Sequence, residues 1–84
     1  MVQPPEIEAE LLNFLRREIF APQVVLSAET DLIAAGFDSL SLVRLLVFVE
    51  TTYGLWIPES EITSTALSNV RSLAATVSRL LHER

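Results

Sequence analysis

Between Ser39 and Tyr53, Leu42, Leu45, Leu46, Val49 and Tyr53 recur at i, i+3, i+4, i+7 and i+11. Apolar side chains at that spacing line one side of an α-helix, so the segment predicts an amphipathic helix that must be covered. The same rhythm appears twice more. From Glu6 to Phe20 it runs through Ile7, Leu11, Phe14, Leu15 and Ile19. Near the end of the chain it runs through Val70, Leu73, Ala74, Val77, Leu80 and Leu81. Three such stripes in 84 residues cover one another as a small bundle. Two glycines are too few for the tight turns of an all-β fold. The expected fold is therefore all-α: a small four-helix bundle, with three main helices, one short helix and a long ordered loop between helices 1 and 2. One domain over residues 1–84, with its core at about 5–82, fits this length.

Local signals place the boundaries. Pro4 and Pro5 suit a helix start, acids crowd the first turn of helix 1, and Pro22 stops it. The stretch from Ala21 to Phe37 is long for a connection. Leu26, Leu32, Ile33 and Phe37 are expected to pin it, with a short turn at Asp31–Ala35 closed by Gly36. Asp38 is the natural cap of the second main helix, and Gly54 its natural end. Leu55 to Pro58 cross to a helical turn near Glu59–Thr63, and Ser68 or Asn69 caps the last helix. Tyr53 is expected in the core, Trp56 partly buried in packing, and His82-Glu83-Arg84 frayed. Glu50 reads equally as a solvated charge or a support for a loop.

Composition excludes several classes of function. The absence of Cys removes disulfides, thiolate nucleophiles and thiolate metal sites, and the single His, His82, leaves no second imidazole for a metal site or relay. The chain has 11 acidic residues against 6 basic ones and a net charge of -5. Its arginines are scattered, so nucleic acid is an unsuitable partner. Glu6, Glu8 and Glu10 stand where a secretion signal would need basic residues, and Leu40 to Val49 is too short to span a bilayer. The expected setting is the cytoplasm, with no membrane partner, and the expected state is a monomer.

One feature exceeds what a bundle needs. After the core stripe of the second main helix is assigned, Leu40, Val43 and Val47 remain on another face. A domain of this size has one core, so that face is expected to stay partly exposed as an interaction surface. It begins beside Asp38-Ser39, at a helix N-terminus suited to anions. Ser39 has three readings there. It is a polar first-turn residue, or a nucleophile, or an attachment point for a phosphate-bearing group. The nucleophile lacks a nearby base, and Gly36-Phe37-Asp38-Ser39-Leu40 is not a nucleophile elbow. The neighbouring apolar face favours attachment over the plain polar residue.

Asp31-Leu32, Gly36-Phe37-Asp38-Ser39-Leu40-Ser41-Leu42-Val43, Glu50, Tyr53-Gly54-Leu55, Ile57-Pro58 and Val70-Arg71-Ser72-Leu73 follow one another along the whole chain. In this order and spacing they resemble the acyl carrier and peptidyl carrier protein family, whose members bear phosphopantetheine. The resemblance implies that a phosphopantetheinyl transferase modifies Ser39 with the 4'-phosphopantetheine arm of coenzyme A. The arm then holds an acyl or aminoacyl group as a thioester. By the same resemblance, Asp38 assists the transferase site and Leu40 is gripped by partner enzymes; Val43, Arg44 and Val47 complete the expected partner face. No catalytic residue and no resident metal is implied, and the domain is not expected to be an enzyme. The implied partners are the transferase, a loading ligase or transferase, and downstream synthase or tailoring enzymes.

The sequence also departs from one branch of that family. Carriers of bacterial fatty acid synthesis have a strongly acidic second helix, whereas Leu40 to Tyr53 holds only Glu50 as an acid, and Arg44 as a base. Ile57 to Thr63, with the Leu-Ser-Asn-Val-Arg-Ser-Leu that follows, is similar to small discrete carriers of specialised polyketide or nonribosomal-peptide pathways. The alternatives are a fatty-acid carrier, or an unmodified adaptor that binds through Leu40, Val43 and Val47.

Overall fold

The computed structural model describes residues 3–84. Four α-helices follow one another: α1 (Pro4–Phe14), α2 (Leu32–Ala35), α3 (Ser39–Tyr53) and α4 (Val70–Glu83). No strand occurs among the described residues. Ile7, Leu11 and Leu15 meet Leu32, Leu45, Val49, Val70, Leu73 and Val77 in one core, all at 2 % exposure or less.

The first helical segment is not a plain α-helix to Phe20. It changes at Leu15 into a wider π-turn over Leu15–Ile19, closed by the Phe20 amide donating to the Leu15 carbonyl at 2.9 Å. The sequence supplies the reason. In an unbroken α-helix Glu18 would follow Phe14 by four residues and Leu11 by seven, which places a carboxylate on the buried stripe. The extra residue in the wide turn gives that place to half-buried Ile19 and leaves Glu18 exposed.

Helices α1 and α3 run antiparallel, and three side-chain contacts mark their register. The Tyr53 hydroxyl donates to Glu10 Oε1 at 3.0 Å, the rings of Phe14 and Phe48 stack with centroids 4.4 Å apart, and Arg44 Nη2 donates to Glu18 Oε1 at 3.2 Å. The Phe pair and both polar pairs are tertiary features that the core stripe alone did not announce. Tyr53 is half-buried at this seam rather than fully in the core, because its hydroxyl reaches the exposed Glu10. Burial, and then the hydrogen bond and charge of Glu10, push its phenol well above the ordinary range.

The loop between α1 and α2 is ordered by a few inward anchors. Phe20, Leu26, Leu32 and Phe37 are buried, and Arg16 Nη2 donates to the Leu26 carbonyl at 2.8 Å. Ile33 does not join them: it is 60 % exposed. Helix α2 is a single turn whose other face carries Leu32 into the core, so its neighbour Ile33 points outward. The Leu32 amide donates to the Ser68 carbonyl and the Arg71 amide to the Ala28 carbonyl, fastening this loop to the start of α4.

The other ends follow their caps. Asn69, not Ser68, caps α4, accepting from the Ser72 amide at 2.8 Å. The short helical turn is a 3-10 turn at Glu59–Glu61. Trp56 differs from expectation: Leu55 and Ile57 point inward along the extended segment, so Trp56 between them is turned out and 60 % exposed. The C-terminus is ordered too. Helix α4 extends to Glu83, and Arg84 Nη1 donates to the carbonyls of Tyr53 and Gly54, the free carbonyl end of α3.

Candidate functional site

The site is built on the entry to α3. Gly36 closes α2 at φ +115°, and Phe37 is buried directly after it, which anchors the chain as it turns. Asp38 follows with extended backbone, and its Oδ1 accepts from the Ser41 amide at 2.9 Å and from the Ser41 hydroxyl at 2.8 Å. Those two bonds, the backbone one first, hold the Asp38 carboxyl below the usual carboxylate range. The cap therefore stays ionised at the positive end of the helix, where its charge is also favoured by the dipole.

This arrangement separates two neighbouring serines. Ser41 is buried and its hydroxyl is engaged by Asp38, whereas Ser39 lies in the first turn and is exposed. Beside Ser39 opens a cleft of about 310 Å³ lined by Ile33, Phe37, Asp38, Ser39, Leu42 and Leu67. Ile33 and Leu67 are contributions that sequence reasoning missed. Ile33 reads from the sequence as an anchor of the loop, and Leu67 sits in a polar run with no periodicity to reveal it.

Along α3 the surplus face is exposed as expected: Leu40 at 68 %, Val43 at 56 % and Val47 at 53 %. Arg44 stands on the same outer side, bound to Glu18 across the seam. Among the described residues no group of three or more His, Asp and Glu side chains gathers to hold a metal ion. His82 belongs to the last turn of α4, with Nδ1 2.6 Å from the Ser78 carbonyl.

The model of one protein family, described as the phosphopantetheine attachment site, matches residues 9–77 of this sequence. The chain belongs to that family. Phosphopantetheine-attachment domains carry 4'-phosphopantetheine covalently on a serine. A search of curated proteins finds none that matches this chain. The entry to α3 fits the group on three counts. A serine hydroxyl is exposed there, it stands in the first turn of a helix, where free amides suit an anion, and a cleft lined by Ile33, Phe37, Leu42 and Leu67 adjoins it.

Proposed function

We propose that this phosphopantetheine-attachment domain is a single carrier domain over residues 1–84, that Ser39 bears its arm, and that it presents a tethered acyl or aminoacyl group to partner enzymes. The observation that carries the reading is the division between the two serines after Asp38, one exposed and one buried against the cap. The arm supplies a thiol on which cargo is held as a thioester. The chain's own residues do the rest. Asp38 fixes the first turn of α3 so that the Ser39 hydroxyl is held out to the transferase, and its outward carboxylate is available to the metal of that enzyme. Leu40, Val43, Arg44 and Val47 form the face that partners grip. Tethering replaces free diffusion with a high effective concentration, so the domain needs no catalytic group of its own.

We assign it to a specialised pathway of polyketide or nonribosomal-peptide type, in the cytoplasm, acting as a monomer. The support is the charge of α3. Partners of an acidic recognition helix present basic surfaces, and this helix carries Arg44 with Glu50 as its one acid. No described helix is long and apolar enough to cross a membrane. The loading ligase or transferase, and the synthase or tailoring enzymes downstream, are the partners this reading requires.

The test is intact-mass measurement after incubation with coenzyme A, Mg²⁺ and a broad-specificity phosphopantetheinyl transferase. The wild-type chain and Ser41→Ala gain the mass of one arm, while Ser39→Ala gains none. An unmodified wild type would overturn the reading and leave the adaptor in its place. Equal gain in Ser39→Ala would move the attachment elsewhere.

A further inference from the structure

A groove walled by the stacked Phe14 and Phe48, with Val43 and Val47 along α3 and Arg44 at its rim, belongs to the partner face of α3. A different surface lies at the other end of the molecule. Helices α1 and α3 are antiparallel, and Arg84 at the end of α4 bonds the carbonyls of Tyr53 and Gly54. The start of α1 and the ends of α3 and α4 therefore share one pole. Along the axis of α3, Tyr53 at this pole is about 21 Å from Ser39.

Trp56 stands at this pole, 60 % exposed, with exposed Pro58 two residues on. The fold asks for no aromatic there. Leu55 and Ile57 take the inward places, so a polar side chain between them would serve the fold equally well. The segment that carries Trp56 is fixed at both ends to the last turns of α4. Arg84 Nη1 donates to the Tyr53 and Gly54 carbonyls, each at 3.0 Å, and Arg79 Nη2 donates to Glu61. The indole is thus held out on an ordered backbone, which spares a partner the cost of ordering it.

Charge is concentrated at the same pole. Glu6, Glu8 and Glu10 on the first turns of α1, Glu59 and Glu61 beyond Trp56, and Glu83 near the end of α4 are six carboxylates. Arg79 and Arg84 are the two guanidinium groups there, so the pole holds -4 of the net -5 and the remainder of the chain only -1. Arg79 is shared by Glu61 and Glu83, and Glu10 takes the Tyr53 hydroxyl. Glu6, Glu8 and Glu59 form no ion pair among the described residues.

We propose that the pole around Trp56 docks a basic protein surface, an apolar socket for the indole flanked by Arg or Lys side chains. One of those cations stacks on the ring, and others meet Glu59 and the carboxylates around it. Complementarity of charge assigns this occupant, because nucleic acid, an anionic membrane or an acidic protein would be repelled here. A large aromatic ringed by polar groups is the kind of residue that carries most of an interface's affinity. A partner held at this pole leaves Ser39 and the face of α3 uncovered, so it stays bound while other proteins reach them. No atom of this surface involves Ser39, so it stands whether or not the serine carries an arm.

For the test, the full chain with p-benzoylphenylalanine replacing Trp56 is expressed in the source cells and irradiated, and the crosslinked partner peptide is sequenced. The expected peptide carries two or more Lys or Arg within a few residues of the crosslink. With that partner purified, calorimetric titration compares the wild type with Trp56→Ser, Glu59→Arg and Ser39→Ala. Trp56→Ser weakens binding tenfold or more and Glu59→Arg threefold or more, whereas Ser39→Ala stays within twofold of the wild type. Raising NaCl from about 50 to about 300 mM weakens the wild-type complex threefold or more. Replacing the partner's basic residue by Glu restores the binding of Glu59→Arg. The far-UV circular dichroism of Trp56→Ser matches the wild type, which shows a folded chain. No crosslinked protein, a peptide without basic residues, undiminished binding by Trp56→Ser, or loss of binding in Ser39→Ala would overturn the docking proposal and leave the carrier reading in place. A wild type that accepts no arm yet keeps the complex that depends on Trp56 would remove the carrier reading alone.

Discussion

At the scale of single residues, Asp38 links helix stability to pH. Its carboxylate accepts two bonds from Ser41, so its folded-state pKa is depressed and the ionised form is the one the fold prefers. A depressed carboxyl contributes stability that is complete above its ordinary titration range and is lost as the pH falls through the folded value. Asp38→Asn keeps a capping oxygen but no charge. In denaturant titrations the wild type should exceed Asp38→Asn in stability at pH 7, with the gap closing as the pH is lowered toward 3. A gap that stayed constant would show that the charge does not matter. The two glycines differ in a similarly local way. Gly54 has φ +66°, which an L-residue can adopt at a cost of about 1–2 kcal/mol. Gly36 has φ +115°, beyond that region, while a Cβ there would meet only Phe20 Cε1 at an ordinary 3.9 Å. Backbone strain, rather than crowding, therefore decides. Gly36→Ala should cost roughly 2–3 kcal/mol and more than Gly54→Ala, as read by thermal or urea unfolding.

At the scale of elements, the apolar residues of α3 are divided among three surfaces. Leu45, Leu46 and Val49 enter the core, Phe48 stacks on Phe14, and Leu40, Val43 and Val47 remain open. Phe48→Ala removes the stack and one wall of the groove while leaving the core stripe in place. It should cost on the order of 1–3 kcal/mol, less than a fully buried Phe, because Phe48 is only half-buried. Calorimetry of Phe14→Ala, Phe48→Ala and the double variant measures the coupling. Additive losses would mean that the rings do not support one another. The π-turn is the other element-level device. It keeps Glu18 out of the core and brings it to Arg44, which ties the end of the first helical segment to the half of α3 that carries Ser39.

At the scale of the whole molecule, stability is small and collectively held. A chain of 84 residues has about 4–13 kcal/mol to lose. Leu46, 9 % exposed on the inner face of α3, should cost about 2–4 kcal/mol when cut to Ala. That loss should appear as a lower urea midpoint with an unchanged slope, and at the upper end as a substantially unfolded domain at 37 °C. A changed slope would mean that α3 unfolds separately. The long connection is carried by the same collective packing: Leu26 and Phe37 are buried, and the backbones of Ala28 and Leu32 bond to the start of α4.

Much of this protein was legible from residue order alone. Periodicity located α1, α3 and α4, Asp38 and Gly54 bounded α3 at its observed ends, and a one-core domain left Leu40, Val43 and Val47 outside. These features are local or follow from counting faces, and the laws of helix spacing and capping suffice for them. What the order of residues could not decide depended on contacts between distant segments. Ile33 and Trp56 are apolar in sequence yet exposed, because in each case a neighbour took the inward place. Arg84 is a terminal residue yet ordered, because the carbonyl end of α3 lies within its reach. The groove of Phe14, Phe48 and Arg44 exists only once α1 and α3 are laid antiparallel in a definite register. The sequence determined which residues could form helices and which serine stood at a cap. Tertiary packing decided which apolar side chains stayed in solvent, since burial is a property of the space between elements and not of any one of them.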